Sequence, residues 1–193
     1  PVITDDDRRF VAEVLDSGIV AGGTGPQVVA LEKEWAEYVG AKHCLTTGSG
    51  TAALHMALAA VDVGPGDEVI VPSFTFFATA SAVWRLGAKI VFADIDPDTF
   101  NISTTSFEQA ITPATKAVIP VHLFGQCADM RAINEIAADH DLKVIEDAAQ
   151  AIGAGLNYLI YAALLLTIPG FSPFWATFIA VSLVAVFSYF GYS

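Results

Sequence analysis

Charge stops early in this chain: no Asp, Glu, Lys or Arg occurs between Ala148 and Ser193. Positive charge is scarce throughout, with nine Lys and Arg against 21 Asp and Glu and a net charge of −12. A basic face for a phosphate backbone is therefore missing, which excludes nucleic acid as a partner. Cysteine is nearly absent. Cys44 and Cys127 lie far apart in sequence, so a disulfide scaffold is excluded and two reduced, half-buried thiols of a cytoplasmic protein are expected. No initiator Met and no signal-peptide pattern stand at the start, and Pro1 is read as the first residue of a processed or partial chain. No His/Cys/Asp cluster has metal-ligand spacing, so no metal is expected. The hydrophobic content of 54% excludes intrinsic disorder, and 193 residues suffice for one domain plus a small extra piece.

What is present divides into two unlike parts, at residues 1–154 and 155–193. In the first, apolar β-branched runs recur at His43–Thr46, Glu68–Val71, Lys89–Ala93, Ala117–Val121 and Lys143–Ile145. Between and before them lie stretches with helical spacing: Arg8–Leu15, Gln27–Tyr38, Gly50–Val61, Thr75–Leu86, Ser106–Ile111 and Ala128–His140. Strands alternating with helices imply crossover connections, hence an α/β fold with a mostly parallel sheet and helices on both faces. Asp5–Asp7 stand before the first helix, where acids complement the positive end of its dipole.

The second part differs in kind. Of the 38 residues from Leu156 to Ser193, 27 are apolar and the rest are Gly, Pro, Ser, Thr or Asn. Ile168-Pro-Gly-Phe-Ser-Pro173 splits the run into spans at 151–168 and 174–193. At about 1.5 Å per residue each reaches roughly 27–30 Å, the hydrocarbon thickness of a bilayer. Tyr158, Tyr161, Trp175, Tyr189 and Tyr192 fall mostly near the segment ends, where amphipathic rings favour the headgroup region. A transmembrane helical hairpin is expected, rather than a core hairpin of a larger soluble protein. Its orientation is open, because no Lys or Arg flanks either span.

Chemistry is concentrated at three places. Thr47-Gly-Ser-Gly-Thr51 follows a strand-like run and opens a helix, where free N–H groups hold a phosphate; a plain tight turn is the alternative. Pro72-Ser-Phe-Thr-Phe-Phe-Ala-Thr79 sets aromatic rings at a strand end, and one exposed ring there could stack on a planar ligand rather than pack in the core. Val144-Ile-Glu-Asp-Ala-Ala-Gln150 sets two acids and an amide just past another strand, at the edge where parallel sheets bind ligands. A phosphate cup, a stacking ring and a strand-end acid together suit pyridoxal 5′-phosphate, whose phosphate, ring face and pyridine nitrogen would each find a partner.

Five ordered blocks extend this reading. Val2-Ile-Thr-Asp-Asp-Asp7, Gly48-Ser-Gly-Thr-Ala-Ala-Leu54, Gly64-Pro-Gly-Asp-Glu-Val-Ile-Val-Pro-Ser-Phe-Thr-Phe76, Pro120-Val-His-Leu-Phe-Gly125 and Glu146-Asp-Ala-Ala-Gln-Ala151 match in order and spacing. On these, residues 2–154 resemble the amino-terminal part of the DegT/StrS family, pyridoxal-phosphate sugar aminotransferases of nucleotide-sugar and polysaccharide biosynthesis. The resemblance implies a partial aminotransferase large domain and a homodimer, with a keto-sugar nucleotide and an amino donor such as glutamate as substrates. By position it implies that Gly50 and Thr51 hold the phosphate, Phe76 stacks on the pyridine ring, Asp147 pairs with its nitrogen and Gln150 sits near its phenolic oxygen. His122 and Gly125 fall in a family block and are read as architecture.

One departure carries weight. The family's Schiff-base lysine follows the Glu-Asp-Ala-Ala segment by a few tens of residues, whereas no Lys follows Lys143 here, and Lys33, Lys42, Lys89, Lys116 and Lys143 do not match its position. No catalytic residue is assigned, and no transamination is expected from this chain. The tail from Gly155 to Ser193 resembles two adjacent helices of GtrA-type membrane proteins of lipid-linked sugar movement. Three possibilities follow: an aminotransferase part joined to part of a membrane protein, by gene fusion or by a misread join; a membrane-tethered, lysine-less binder of the cofactor or of a nucleotide sugar; and a GtrA-like component. The first is favoured, because composition switches in mid-domain without a linker.

Overall fold

The computed structural model describes residues 3–20 and 25–151. The chain begins with helix α1 (Asp5–Asp16), α2 (Pro26–Val39) and α3 (Gly50–Ala60). Alternation then sets in: β1 (Glu68–Pro72), α4 (Phe77–Arg85), β2 (Lys89–Ala93), α5 (Thr104–Gln109), β3 (Thr115–Val118), a 3-10 turn at Leu123–Gly125, α6 (Met130–Asp139) and β4 (Lys143–Val144). The four strands form one parallel sheet in the order β2-β1-β3-β4. The expected α/β class and parallel sheet are therefore present in the described residues.

Side-chain alternation along the strands builds two cores. Val69 and Val71 of β1, with Ala117 and Ile119 at β3, point to one face and pack with Leu54 and Leu58 of α3 and Val83 of α4. Ile70 and Val118 point to the other face and meet Phe107 of α5 and Ile133 of α6. Both faces are covered, which is why β1 reads as an unbroken apolar run and is buried at every position.

Local chemistry sets the ends of the elements. Thr4 and Asp7 form a reciprocal capping box, so α1 starts at Asp5 and the three acids lie inside its first turn rather than before it. Pro26 opens α2, and Gly40 closes it with φ +72°, a conformation that suits a residue without Cβ. The expected strand at His43–Thr46 is not a strand. Its Thr46 amide donates at 2.7 Å to Oε1 of Glu32 on α2, so a side chain takes what a ladder would use. The thiols also differ from expectation, with Cys44 buried and Cys127 exposed. Among the described residues no helix is long and apolar enough to cross a membrane. The hairpin expected at 151–168 and 174–193 lies, Ala151 apart, outside the described residues.

Candidate active site at the carboxyl edge of the sheet

The parallel pairing of β3 and β4 continues past the strands and aims the residues beyond them. Ile145 N–H donates to the Val118 carbonyl at 3.0 Å, Asp147 N–H to that of Pro120 at 2.9 Å, and His122 N–H to that of Asp147 at 3.1 Å. Asp147 is thus held by main-chain bonds on both sides while its side chain is 5% exposed. Beside it, β1 runs out through Ser73 to Phe76, the residue that precedes α4. The first turn of α3 closes the third side.

A cavity of about 180 Å3 opens between these three ends, and Gly50, Thr51, Phe76, Asp147 and Gln150 all line it. The five residues named from sequence are therefore brought together. Thr75, Val121 and Ala149 complete its wall. Phe76 is 74% exposed, so its ring is not part of either core. At the start of α3, Ser49 Oγ takes the Ala52 amide and the Ser49 carbonyl takes that of Ala53. The N–H groups of Gly50 and Thr51 are not used by the helix itself, and they carry the positive end of its dipole.

Asp147 is the electrostatic centre. Its Oδ2 accepts from the Thr79 hydroxyl at 2.9 Å and its Oδ1 from the Ala149 amide at 3.2 Å. Thr79 Oγ1 lies 3.1 Å from Thr75 Oγ1, so a hydroxyl chain leads from the cavity wall to the carboxylate. Burial pushes the Asp147 carboxyl above its ordinary value, against the pull of Thr79 and Ala149 toward the charged form and of the His122 ring when it is protonated. Among the described residues no Lys or Arg pairs with it. Gln150 Oε1 accepts the Phe124 amide at 2.8 Å, which leaves its NH2 as the group that can donate into the cavity.

Several contributors were not singled out from the sequence. Thr75 and Thr79 stand in the strand-end block, one before α4 and one in its first turn, and nothing in their residue type announces a contact with Asp147. Phe124 holds Gln150 through a backbone with φ +54°, and nothing in its residue type announces that. Asn101 is buried; its Oδ1 accepts from Leu123 N–H and its Nδ2 donates to the Gln126 carbonyl, both at 3.0 Å, fixing the turn that carries Phe124. His122 stays out of the cavity wall, with Nε2 2.9 Å from Glu146 Oε2. Gly125, with φ +85°, closes the 3-10 turn.

The model of the DegT/DnrJ/EryC1/StrS aminotransferase family matches residues 1–171. The chain belongs to this family. GDP-perosamine synthase of Caulobacter vibrioides is 48% identical over 154 residues, covering 80% of this chain and 41% of its own length. UDP-2-acetamido-2-deoxy-3-oxo-D-glucuronate aminotransferase of Pseudomonas aeruginosa is 56% identical over 130 residues, covering 67% of this chain and 36% of its own. The crystal structure of NtdA from Bacillus subtilis with bound cofactor PMP superposes with a TM-score of 0.74 at 41% identity, over 81% of this chain and 37% of that one. The chain therefore spans about two fifths of the length of these family members.

Aminotransferases of the DegT/DnrJ/EryC1/StrS family depend on pyridoxal phosphate. The residues present fit that group. A buried carboxylate with no Lys or Arg partner suits a protonated ring nitrogen, unused amides at a helix start suit a phosphate, and a free amide NH2 suits a phenolic oxygen.

Proposed function

We propose that this chain carries the cofactor-binding part of a pyridoxal-phosphate-dependent aminotransferase acting on keto-sugar nucleotides. The observation that carries the reading is Asp147, buried and unpaired by Lys or Arg at the wall of a cavity that also presents an exposed ring and a helix start. When bound, the cofactor supplies an electron-withdrawing ring that carries the amino group between substrates. Asp147 keeps the ring nitrogen protonated, Thr79 and Ala149 aim the Asp147 carboxyl and favour its charged form against burial, and Gly50 and Thr51 bind the phosphate. Phe76 covers one ring face against water, and Gln150 donates to the ring oxygen. The names of the relatives support a nucleotide sugar as acceptor, with glutamate as a fitting amino donor, and the family resemblance supports a homodimer.

The same reading gives the 193-residue chain binding without turnover, since no Lys follows Lys143. Its test is a fluorescence titration of the full chain with pyridoxamine 5′-phosphate, which needs no lysine to bind. Saturable binding that Asp147→Asn weakens at least about tenfold, the loss of one charge-assisted bond, supports the proposal. Equal affinity in both proteins rejects it.

A second reading concerns the tail and rests on its 38 uncharged residues. Residues 155–193 form a GtrA-like helical hairpin that anchors the chain in a membrane, with residues 1–154 on the cytoplasmic side. Flotation with neutral lipid vesicles tests it: the full chain should rise with the vesicles and stay there in alkaline carbonate, and a chain left in the soluble fraction contradicts it.

A further inference from the structure

Three phenylalanines stand in water beside the cavity. Phe74, Phe100 and Phe124 are all exposed, Phe124 by 66%. Their rings form one cluster, with centroids 5.9 Å apart from Phe74 to Phe100 and 6.1 Å from Phe100 to Phe124. The planes are inclined at 46° and 75°, so the rings do not close on one another as a stack, and faces remain for a further ring. All three come from the carboxyl edge of the sheet. Phe74 lies just past β1, Phe100 in the connection after β2, and Phe124 in the 3-10 turn after β3.

This exposure is built into the fold. Phe100 and Phe124 have φ +60° and +54°, in the left-handed region that disfavours a bulky side chain, and neither gains burial in return. The Phe100 amide donates to the Asp96 carbonyl and the Asp96 amide to that of Asn101, both at 2.8 Å, which closes the first turn. The buried Asn101 side chain then bonds to Leu123 N–H and to the Gln126 carbonyl, on either side of Phe124. One side chain thus fixes two rings relative to each other. The cluster is also joined to the cavity wall at two points: Phe74 precedes Thr75 in the chain, and the Phe124 amide donates to Gln150 Oε1.

We infer that Phe74, Phe100 and Phe124 form a stacking platform for the base of a nucleotide-sugar substrate. The inference rests on the reading of the cavity as a pyridoxal-type site that serves a keto-sugar nucleotide. Size separates the two places. The cavity holds about 180 Å3, whereas pockets for whole drug-sized ligands start at roughly 300 Å3. A nucleotide sugar that brings its keto carbon to the cofactor therefore leaves its base outside. Parallel sheets bind ligands across the carboxyl ends of their strands, which is where these rings lie. A base is a neutral planar ring, and a phenylalanine face stacks on it whatever its hydrogen-bonding edge. The rings carry no charge, so the platform takes the base and not the diphosphate.

The test uses the full chain in mild detergent with uridine diphosphate, guanosine diphosphate and ribose 5-phosphate, which lacks a base. Saturation-transfer spectra should mark the base protons of both nucleotides, and ribose 5-phosphate should show no transfer. Phe100→Leu keeps most of the apolar volume and removes the ring that touches the other two. It should weaken both nucleotides about tenfold, the effect of one lost base stack. Pyridoxamine 5′-phosphate should bind that variant within about twofold of the parent, as expected of separate sites. Phe74→Leu, in a different loop, should act in the same direction and guards against a folding defect in the first variant. Unchanged nucleotide affinity in both variants, or equal transfer to ribose 5-phosphate, overturns the inference. So does a dimer that Phe100→Leu dissociates while the parent gives no base signal, which assigns the face to a second copy. Pyridoxamine 5′-phosphate binding without nucleotide binding overturns the platform and leaves the cavity reading standing. Nucleotide binding alone, weakened in Phe100→Leu, supports the platform and rejects the cavity reading; binding of neither overturns both.

Discussion

Asp147 concentrates the chemistry of this molecule in one carboxylate, and its burial has a cost that pH reveals. The folded-state carboxyl is raised above 3.8 by desolvation, so the folded chain holds its proton more tightly than the unfolded chain does. Stability contributed by that proton is complete below about pH 4, the ordinary aspartate value, and is lost as pH rises through the raised folded value. Ligand-free Asp147→Asn carries no such loss. Its thermal midpoint should therefore exceed that of the parent at about pH 7 and approach it at about pH 3, below both carboxyl values. A variant that melts lower than the parent at neutral pH would show that the buried charge is satisfied within the chain. Asp147 itself was legible from its place after a strand end. Thr79 was not, because a threonine in an apolar helix reads as filler until the fold sets its hydroxyl 2.9 Å from a carboxylate 68 residues away.

At the scale of elements, α3 does two jobs with one end. Ser49 caps it through the Ala52 amide, and the same first turn presents Gly50 and Thr51 to the cavity. Ser49→Ala should cost about 1 kcal/mol, typical of a lost N-cap, read as a lower urea midpoint with unchanged slope. No change in midpoint would mean that tertiary packing of Leu54 and Leu58, rather than the cap, sets where the helix begins. Helix and strand positions were readable because periodicity and turn residues agree over 50–145, with Lys89–Ala93 matched at both ends and no other end displaced by more than three residues. His43–Thr46 misled for a physical reason. Its β-branched and apolar pattern is that of a strand, but a strand also needs a neighbour, and here a Glu32 carboxylate occupies the Thr46 amide. Pattern reports what a segment can do; pairing depends on what the rest of the chain offers it.

The molecule as a whole pairs a double-faced α/β core with an uncharged tail, and its two thiols report on the core. Burial, helped by the Glu32 charge, pushes the Cys44 thiol up to about 11, while Cys127 is exposed. A thiol reagent at about pH 8, just below the ordinary cysteine value, should therefore label one cysteine rapidly in the folded chain and two in denaturant. Rapid labelling of both without denaturant would mean that α2 does not stay packed over Cys44. The parallel topology and the gathering of distant blocks at one edge followed from the order of strands and helices, since strand carboxyl ends in such sheets share one side. The turn held by Asn101 and the backbone of Phe124 did not, because each depends on side-chain-to-backbone bonds that leave no periodic trace.

The central claim is that the ends of β1 and β4 and the start of α3 form one pyridoxal-type site. It is tested most directly by mapping where pyridoxamine 5′-phosphate binds, through backbone amide shifts of the 15N-labelled full chain in mild detergent. The account predicts saturating shifts at Gly50, Thr51, Ala149 and Gln150, with Glu32 to Cys44 unmoved. Shifts confined to that second region, or none at any of these amides, would contradict it.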